Sequence, residues 1–79
     1  MDRNEVLKKV TEICADVFEL DDLVLTFETT AEDVEEWDSL SHLSIINEVE
    51  MGFGIKFTMA EIQGLKNVGS LVDTIIKHA

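Results

Sequence analysis

The chain is short and strongly acidic. Its 79 residues include 17 Asp and Glu but only 6 Lys and Arg, which gives a formal net charge of −11 at pH 7. This imbalance excludes nucleic acid and anionic membrane surfaces as expected partners, because both are bound through clustered Lys and Arg. At 46% hydrophobic residues, the chain is too apolar to be a disordered acidic tail. Its length allows one small core, so we expect a single domain over residues 1–79.

The apolar residues are not arranged to enter or cross a membrane. No apolar segment approaches the roughly 18 residues that a spanning helix requires, and the N-terminal residues MDRNEVLKK contain no signal-peptide hydrophobic stretch. Cys14, the single cysteine, lies in an apolar helical stripe, which predicts a buried and unreactive thiol. One cysteine cannot form an internal disulfide, which fits a reducing compartment. We therefore expect a cytoplasmic protein, and we expect it to be a monomer.

The first half of the chain predicts one helix followed by a long loop. Apolar residues from Val6 to Phe18 recur every three or four positions, which predicts a helix over residues 3–19. Asp2 and Glu5 have the spacing of a capping box at its start. Residues 20–38 lose this period, with one short turn expected near Ala31. A connection this long is more often functional than accidental, and four apolar residues can anchor it: Leu20, Leu23, Leu25 and Phe27.

The second long helix is predicted to start beside a capping acid. Asp38 is a suitable N-cap, and the following residues have a broad apolar stripe from Ser39 to Met51. Gly52 is expected just beyond the helix, in the left-handed conformation that ends many helices.

Two further helices complete the pattern. Thr58 and Glu61 have capping-box spacing for a very short helix that ends at Gly64, and Asn67 is the expected cap of the last helix. No segment alternates convincingly as a strand. The predicted fold class is therefore all-α, a four-helix bundle with three longer helices, a short third helix and a long first loop.

Acidic residues are concentrated in the middle of the chain. Between Lys9 and Lys56 there is no Lys or Arg, while the same segment contains thirteen Asp and Glu. An acidic surface is thus expected around the start of helix two. Such a surface either keeps a small protein soluble or attracts basic partners, and the sequence leaves both interpretations open. Because like charges oppose compactness, salt, divalent cations or mildly lower pH should raise the melting temperature.

Ser39 is the main candidate for chemistry. It would occupy the first turn of helix two, where backbone N–H groups lack intrahelical partners and the helix dipole is positive. A phosphate attached there would lie at a site that favours anions. By position alone, an ordinary serine at a helix start is the better explanation of the residue.

The sequence around Ser39 resembles the acyl carrier protein family. The resemblance starts with Glu36-Trp37-Asp38-Ser39-Leu40 after a long first loop and includes the apolar spacing that follows in helix two. It continues through EMGFGIKF at residues 50–57, a short third helix and LKNVGSLV at residues 65–72, so it covers essentially the whole chain. A bare Asp-Ser-Leu is common, but the triplet in this four-helix acidic frame is specific.

This resemblance implies a carrier and not an enzyme. In the family, the serine that matches Ser39 is the attachment point of 4′-phosphopantetheine, which a Mg²⁺-dependent phosphopantetheinyl transferase delivers from coenzyme A. The arm's thiol holds an acyl group as a thioester, and the implied partners are acyl-loading and acyl-processing enzymes with basic patches. A tethered substrate has a high effective concentration at each docked enzyme.

The resemblance also suggests roles for other residues. Partner docking is expected to involve the residues around the attachment serine and one acid farther along helix two: Glu35, Glu36, Asp38, Leu40 and Glu48. An acyl chain could lie where helices two, three and four meet, although the residues there would equally form ordinary core: Ile46, Ile62, Leu65, Val68 and Leu71. We expect no catalytic residues and no specific metal site, since Asp21 and Asp22 lack the ligand spacing of a calcium loop.

Three residues depart from the common family pattern. Trp37 replaces the small residue that often precedes the aspartate, and Ser41 and His42 follow the triplet where fatty-acid carriers often have an acid. These departures resemble stand-alone carriers of specialised pathways. His42 would lie one turn from Asp38 and could pair with it.

Other functions remain open at this point. Within the family, a peptidyl or aminoacyl carrier would have the same attachment chemistry with an amino acid as cargo. An acidic helical adaptor would dock to a basic protein but remain unmodified when offered coenzyme A and a transferase. A small hydrolase that uses Ser39 and His42 would need activity from the unmodified chain, which we do not expect.

Overall fold

The computed structural model describes residues 2–78 and contains only helices and loops in that range. This confirms the predicted all-α class. Residues 2–78 form four α-helices and one 3₁₀ turn, which is the predicted succession of a long helix, a long loop, a second long helix, a short helix and a last helix. The elements in chain order are α1 (Arg3–Phe18), the 3₁₀ turn (Ala31–Asp33), α2 (Ser39–Phe53), α3 (Met59–Gln63) and α4 (Val68–His78).

Helix α1 packs against both α2 and α4. Its start is capped by Asp2, whose carboxylate accepts the Asn4 N–H at 3.0 Å. Its end lies one residue before the predicted limit, because Glu19 adopts a left-handed conformation with φ 58° and closes the helix as its cap. One apolar stripe of α1 faces the centre of the molecule, and its buried members are Val6, Val10, Cys14 and Phe18.

Cys14 has no exposed surface. Burial raises the pKa of its thiol to about 12, because an anionic thiolate loses solvation in an apolar interior. The predicted burial of Cys14 is confirmed, and the raised pKa keeps its thiol protonated at neutral pH.

Helix α2 extends two residues farther than the sequence predicted. It ends at Phe53, and Gly54, with φ 67°, takes the left-handed position that we expected for Gly52. The prediction was wrong because contacts with α1 hold Gly52 in the helix. Its carbonyl oxygen accepts from Lys9 Nζ at 2.9 Å, and the same ammonium lies 4.8 Å from the centre of the Phe53 ring.

The caps of the last two helices are as predicted. Thr58 and Glu61 form the capping box of α3: the Glu61 N–H donates to Thr58 Oγ1 at 3.1 Å, and the Thr58 N–H donates to Glu61 Oε1 at 2.9 Å. The helix ends at Gly64. The side-chain oxygen of Asn67 accepts the N–H of Ser70 at 2.8 Å and so caps α4.

The long first loop is bonded to the start of α4. The N–H groups of Val68 and Gly69 donate to the carbonyl oxygens of Thr29 and Phe27, each at 2.8 Å. A Cβ atom at residue 69 would lie 2.8 Å from the Phe27 oxygen, so only glycine allows this approach. The four predicted anchors also lie against the core: Leu25 is buried, and the others are half-buried. This attachment places the 3₁₀ turn and Trp37 beside the start of α2.

The core lies between α1, α2, α4 and the loop. It contains no buried polar or charged residue among those described, so the bundle is held by apolar packing. None of the helices within residues 2–78 is both long and apolar enough to span a membrane. The fully buried side chains from the three long helices are Val6, Val10, Cys14, Ile45, Val49, Val68, Val72 and Ile75.

Candidate functional site

Ser39 is the first residue of α2, and it is exposed. Asp38 precedes it in an extended conformation, and its carboxylate accepts the Ser41 N–H at 2.8 Å. This bond to the Ser41 N–H, together with one to the Ser41 hydroxyl, lowers the pKa of the Asp38 carboxyl. Asp38 therefore remains ionised at neutral pH and fixes the backbone that presents Ser39.

His42 does not pair with Asp38, contrary to the prediction. Its Nδ1 lies 3.1 Å from Nε1 of Trp37, while the Asp38 carboxylate is occupied by the first turn of the helix. Burial lowers the pKa of the half-buried His42, because a charged imidazolium would lose solvation. The ring is therefore neutral at pH 7, and its Nδ1 is engaged with Trp37 rather than with Ser39.

Trp37 has a structural role that sequence reasoning did not identify. Its ring packs against Phe18 of α1, with 5.7 Å between centroids and a tilt of 54°, and it also faces the His42 ring at 6.2 Å. Trp37 directly precedes the cap of α2, and His42 is the fourth residue after that cap. These are the two positions whose side chains meet in a hydrophobic staple. That spacing was the available signal, and it fixes the loop against the helix start.

The predicted docking residues are all exposed. Leu40 retains 77% of its surface. The acids around it have no compensating cations: the ion pairs found among residues 2–78 involve only Asp73 and Glu61 as acids. The predicted docking acids, all outside those pairs, are Glu35, Glu36, Asp38 and Glu48. The start of α2 thus combines an exposed hydroxyl, an exposed leucine and uncompensated negative charge.

The five predicted cleft residues do not form one open cleft. Ile46, Val68 and Leu71 are buried, and Ile62 and Leu65 are half-buried. Leu65 and Leu71 do line a small pocket of about 40 Å³ between the loop, α2 and the start of α4. The rest of that pocket is formed by Thr29, Ala31, Trp37, His42, Lys66 and Asn67.

An open groove connects this pocket region with Ser39. The groove is bordered by Asp38, Ser39 and Leu43. Its remaining walls also belong to the pocket: Ala31, Trp37, His42 and Leu65. A group attached to the Ser39 oxygen could therefore extend outward into solvent or lie back along the groove.

Ser39 and its surroundings suit a phosphodiester-linked arm. The hydroxyl is exposed at the first turn of a helix, where the partial positive charge of the N–H groups favours a phosphate. The adjoining groove is large enough to receive part of a flexible chain. Residues that would border such an arm are Asp38, Ser39, His42 and Leu43.

Comparisons with known proteins agree with this geometry. The family model described as the phosphopantetheine attachment site matches residues 8–75. An acyl carrier protein from Rubrobacter xylanophilus is 35% identical over 78 residues, which is 99% of this chain and 96% of that protein. The chain belongs to the acyl carrier protein family. The solution NMR structure of holo acyl carrier protein from Geobacter metallireducens superimposes with a TM-score of 0.87 at 46% identity, covering 92% of this chain and 84% of the other.

Membership of this family defines the general role of the chain. Acyl carrier proteins are carriers and not enzymes, and they hold a covalently attached 4′-phosphopantetheine. A transferase that adds this group and acyl-processing enzymes are therefore its general partners.

Proposed function

We propose that Ser39 carries 4′-phosphopantetheine and that the protein presents an acyl group, held as a thioester on the arm, to enzymes of fatty-acid, polyketide or other specialised acyl metabolism. The observation that carries the assignment is the exposed Ser39 hydroxyl at the first residue of α2, directly after a capping Asp38. We further propose that residues 1–79 act as a single, monomeric carrier domain in the cytoplasm.

Attachment requires a new bond from Ser39 Oγ to phosphorus. The phosphodiester forms as the pyrophosphate bond of coenzyme A breaks, and the nucleotide part leaves with the displaced oxygen. The serine proton must pass to a base of the transferase, since His42 Nδ1 is engaged with Trp37. The arm supplies a terminal thiol for the thioester. The chain itself contributes an exposed nucleophile, held in position by the Asp38 cap and surrounded by acids that attract a basic enzyme.

Docking is proposed to use the exposed surface at the start of α2. Leu40 supplies apolar contact area, while Glu35, Glu36, Asp38 and Glu48 supply charge. Uncompensated surface charges raise the encounter rate with a basic partner more than they slow its departure. This property suits a carrier that must visit several enzymes in turn.

Trp37, Ser41 and His42 favour a specialised pathway. The Trp37–His42 pair borders the groove beside Ser39, where the cargo of an attached arm could lie. A peptidyl or aminoacyl carrier would share the attachment site, and it would be distinguished by the enzyme that loads it.

The attachment is tested by intact mass after incubation with coenzyme A, Mg²⁺ and a broad-specificity phosphopantetheinyl transferase. We expect the wild type to gain one phosphopantetheine and Ser39→Ala to gain none. Ser44→Ala is the matched control, because Ser44 is also exposed on α2, and it should be modified like the wild type. Modification of Ser39→Ala, or none of the wild type with several transferases, would contradict the proposal.

The docking surface is tested by the rate of that modification. Leu40→Ala should lower the rate, whereas Met59→Ala, which removes an apolar side chain of similar exposure from α3, should leave it unchanged. Raising the salt concentration should slow the wild type, because screening weakens steering by surface charges. Equal rates for the two variants would refute the docking role of Leu40.

A further inference from the structure

The groove beside Ser39 leads to a wall with an unused hydrogen-bond donor. Trp37 and His42 lie on the border of both the groove and the small pocket behind it. Any group that folds back from Ser39 along the groove therefore passes this pair. The chemistry of the pair determines which groups can be held there.

Trp37 fixes the tautomer of His42. An indole nitrogen can only donate a hydrogen bond, so His42 Nδ1, at 3.1 Å from it, must be the acceptor. In the neutral ring the proton is then on Nε2. Burial lowers the pKa of His42 and so favours this neutral form at pH 7. Among residues 2–78, Nε2 has no hydrogen-bond partner, which leaves its N–H for a ligand in the groove or pocket.

The pocket behind the pair is small and partly polar. Its volume of about 40 Å³ provides room for a few atoms and not for a long hydrocarbon chain. Thr29, Lys66 and Asn67 face it together with apolar Leu65 and Leu71. The Thr29 and Asn67 side chains already have hydrogen-bond partners in Thr26 and Ser70, and Lys66 is exposed. A purely apolar group would therefore leave the His42 N–H without a partner, which is unfavourable in a partly buried space. A short group with an oxygen acceptor avoids that loss.

We propose that the Trp37–His42 wall binds a short acyl cargo that carries a hydroxyl or carbonyl oxygen, with that oxygen accepting a hydrogen bond from Nε2–H of His42. This inference rests on the proposed attachment of the arm at Ser39, and it adds the chemical class of the cargo. His42 acts as a positioning residue, and it neither forms nor breaks a bond. Trp37 holds the ring in the required tautomer.

The test compares two cargoes of equal length. The protein is loaded by a transferase from butyryl-coenzyme A or 3-hydroxybutyryl-coenzyme A, and intact mass confirms each loading. The readouts are the ¹H–¹⁵N NMR signal of the indole and the imidazole ¹⁵N signals of His42. Trp37 is the single tryptophan of the chain, so its indole signal needs no further assignment. Failure of loading would contradict the attachment at Ser39, whereas the NMR comparison tests the cargo class alone.

We expect 3-hydroxybutyryl to shift the His42 Nε2 and Trp37 indole signals, and butyryl to leave them close to those of the unloaded holo protein. Equal shifts from both cargoes would overturn the proposal. The proposal would also be overturned if the unloaded holo protein already showed the whole shift of the His42 and Trp37 signals relative to the unmodified protein. In that case the arm itself, and not the cargo, would accept the hydrogen bond from His42 Nε2–H.

Two substitutions of His42 test the Nε2 donor separately from the hydrogen bond with Trp37. His42→Asn keeps a polar atom near Nδ1 for Trp37 but removes the donor at Nε2, while His42→Gln places an amide donor near Nε2. In the Asn variant, the Trp37 indole signal should be the same with 3-hydroxybutyryl and with butyryl. In the Gln variant, the indole signal should still differ between the two cargoes. A single hydrogen bond contributes only a modest net free energy. The ratio of 3-hydroxybutyryl bound at the Trp37–His42 wall to 3-hydroxybutyryl in solvent should therefore fall about fivefold in the Asn variant. A difference that persists in the Asn variant contradicts the role of His42.

Discussion

Helices α2 and α4 begin with the same cap in opposite surroundings. In each, an Asp or Asn side chain accepts the N–H of a serine three residues later at 2.8 Å, from Asp38 to Ser41 and from Asn67 to Ser70. The first residue of α4, Val68, is fully buried, and its N–H is bonded to the first loop. The first residues of α2 are exposed.

The start of α4 is therefore part of the packed structure, whereas the start of α2 is accessible to a modifying enzyme. Residues 68 and 69 of α4 connect the long loop to the bundle through two backbone hydrogen bonds. The corresponding positions in α2 are Ser39 and Leu40, which make no such connection and are surrounded by uncompensated acids. The same local capping therefore supports a structural role in α4 and the proposed attachment role in α2.

The largest effect is expected at the start of α4. Gly69→Ala would place a Cβ atom 2.8 Å from the Phe27 carbonyl oxygen, so the loop must move. We expect the free energy of unfolding to fall by about 1–3 kcal/mol, measured by chemical denaturation. In the control Gly64→Ala, the new Cβ has ordinary contacts at 3.4 Å or more. Equal stability of the two variants would show that the loop is not held there.

Substitutions at the two caps should separate effects on stability from effects on the rate of modification. Asn67→Ala should lower the free energy of unfolding by about 1 kcal/mol and leave the rate of modification unchanged. Asp38→Asn keeps a capping oxygen but removes the charge, so it should lower stability less than Asn67→Ala does and should slow the transferase. Denaturation and modification rates measured on both variants test this contrast, and it would be refuted if the Asn67 variant were the slower substrate.

A smaller effect is expected from the pH dependence of the α3 cap. Hydrogen bonds from the Thr58 N–H and then from His78 lower the pKa of Glu61 below its ordinary value of 4.5. A carboxyl with a lowered pKa in the folded state stabilises the protein above its unfolded-state pKa, and the contribution is lost as the pH falls through the folded value. Glu61→Gln should therefore be less stable than the wild type at pH 7, and the difference should disappear as the pH falls below 4.5 and through the lowered pKa of Glu61.

A matched variant provides the control for the pH experiment. Glu28→Gln removes an exposed acid with no ion pair among the described residues, and it removes the same single negative charge as Glu61→Gln. It should be at least as stable as the wild type at pH 7, because it reduces self-repulsion. If both variants were destabilised equally at pH 7, Glu61 would have no special role as a cap.

The sequence correctly predicted those helix caps whose hydrogen bonds join residues close together in the chain. The Thr58–Glu61 capping box and the Asn67 cap involve residues three positions apart, and both are present in the structure. The end of α2 was predicted two residues early, because Gly52 and Gly54 are both acceptable local stops. The choice depends on Lys9, which is distant in sequence and binds the Gly52 carbonyl oxygen.

The candidate site was predictable in part. Ser39 and its exposed neighbours follow from the capping pattern and the family resemblance. The Trp37–His42 hydrogen bond was missed, because the separation of His42 and Asp38 by one helical turn suggested a different partner. The pocket was also outside the reach of sequence patterns, since its walls come from the first loop, α2 and the start of α4.

The most direct test of the central claim is to locate the added group on the unaltered chain. The protein is modified with coenzyme A and a transferase, and peptide fragmentation by mass spectrometry then identifies the residue that carries phosphopantetheine. Ser39, Ser41 and Ser44 all lie near the start of α2, so each is a candidate. We predict that the whole added mass is on Ser39. Phosphopantetheine on Ser41, Ser44 or a residue outside α2 would contradict the account.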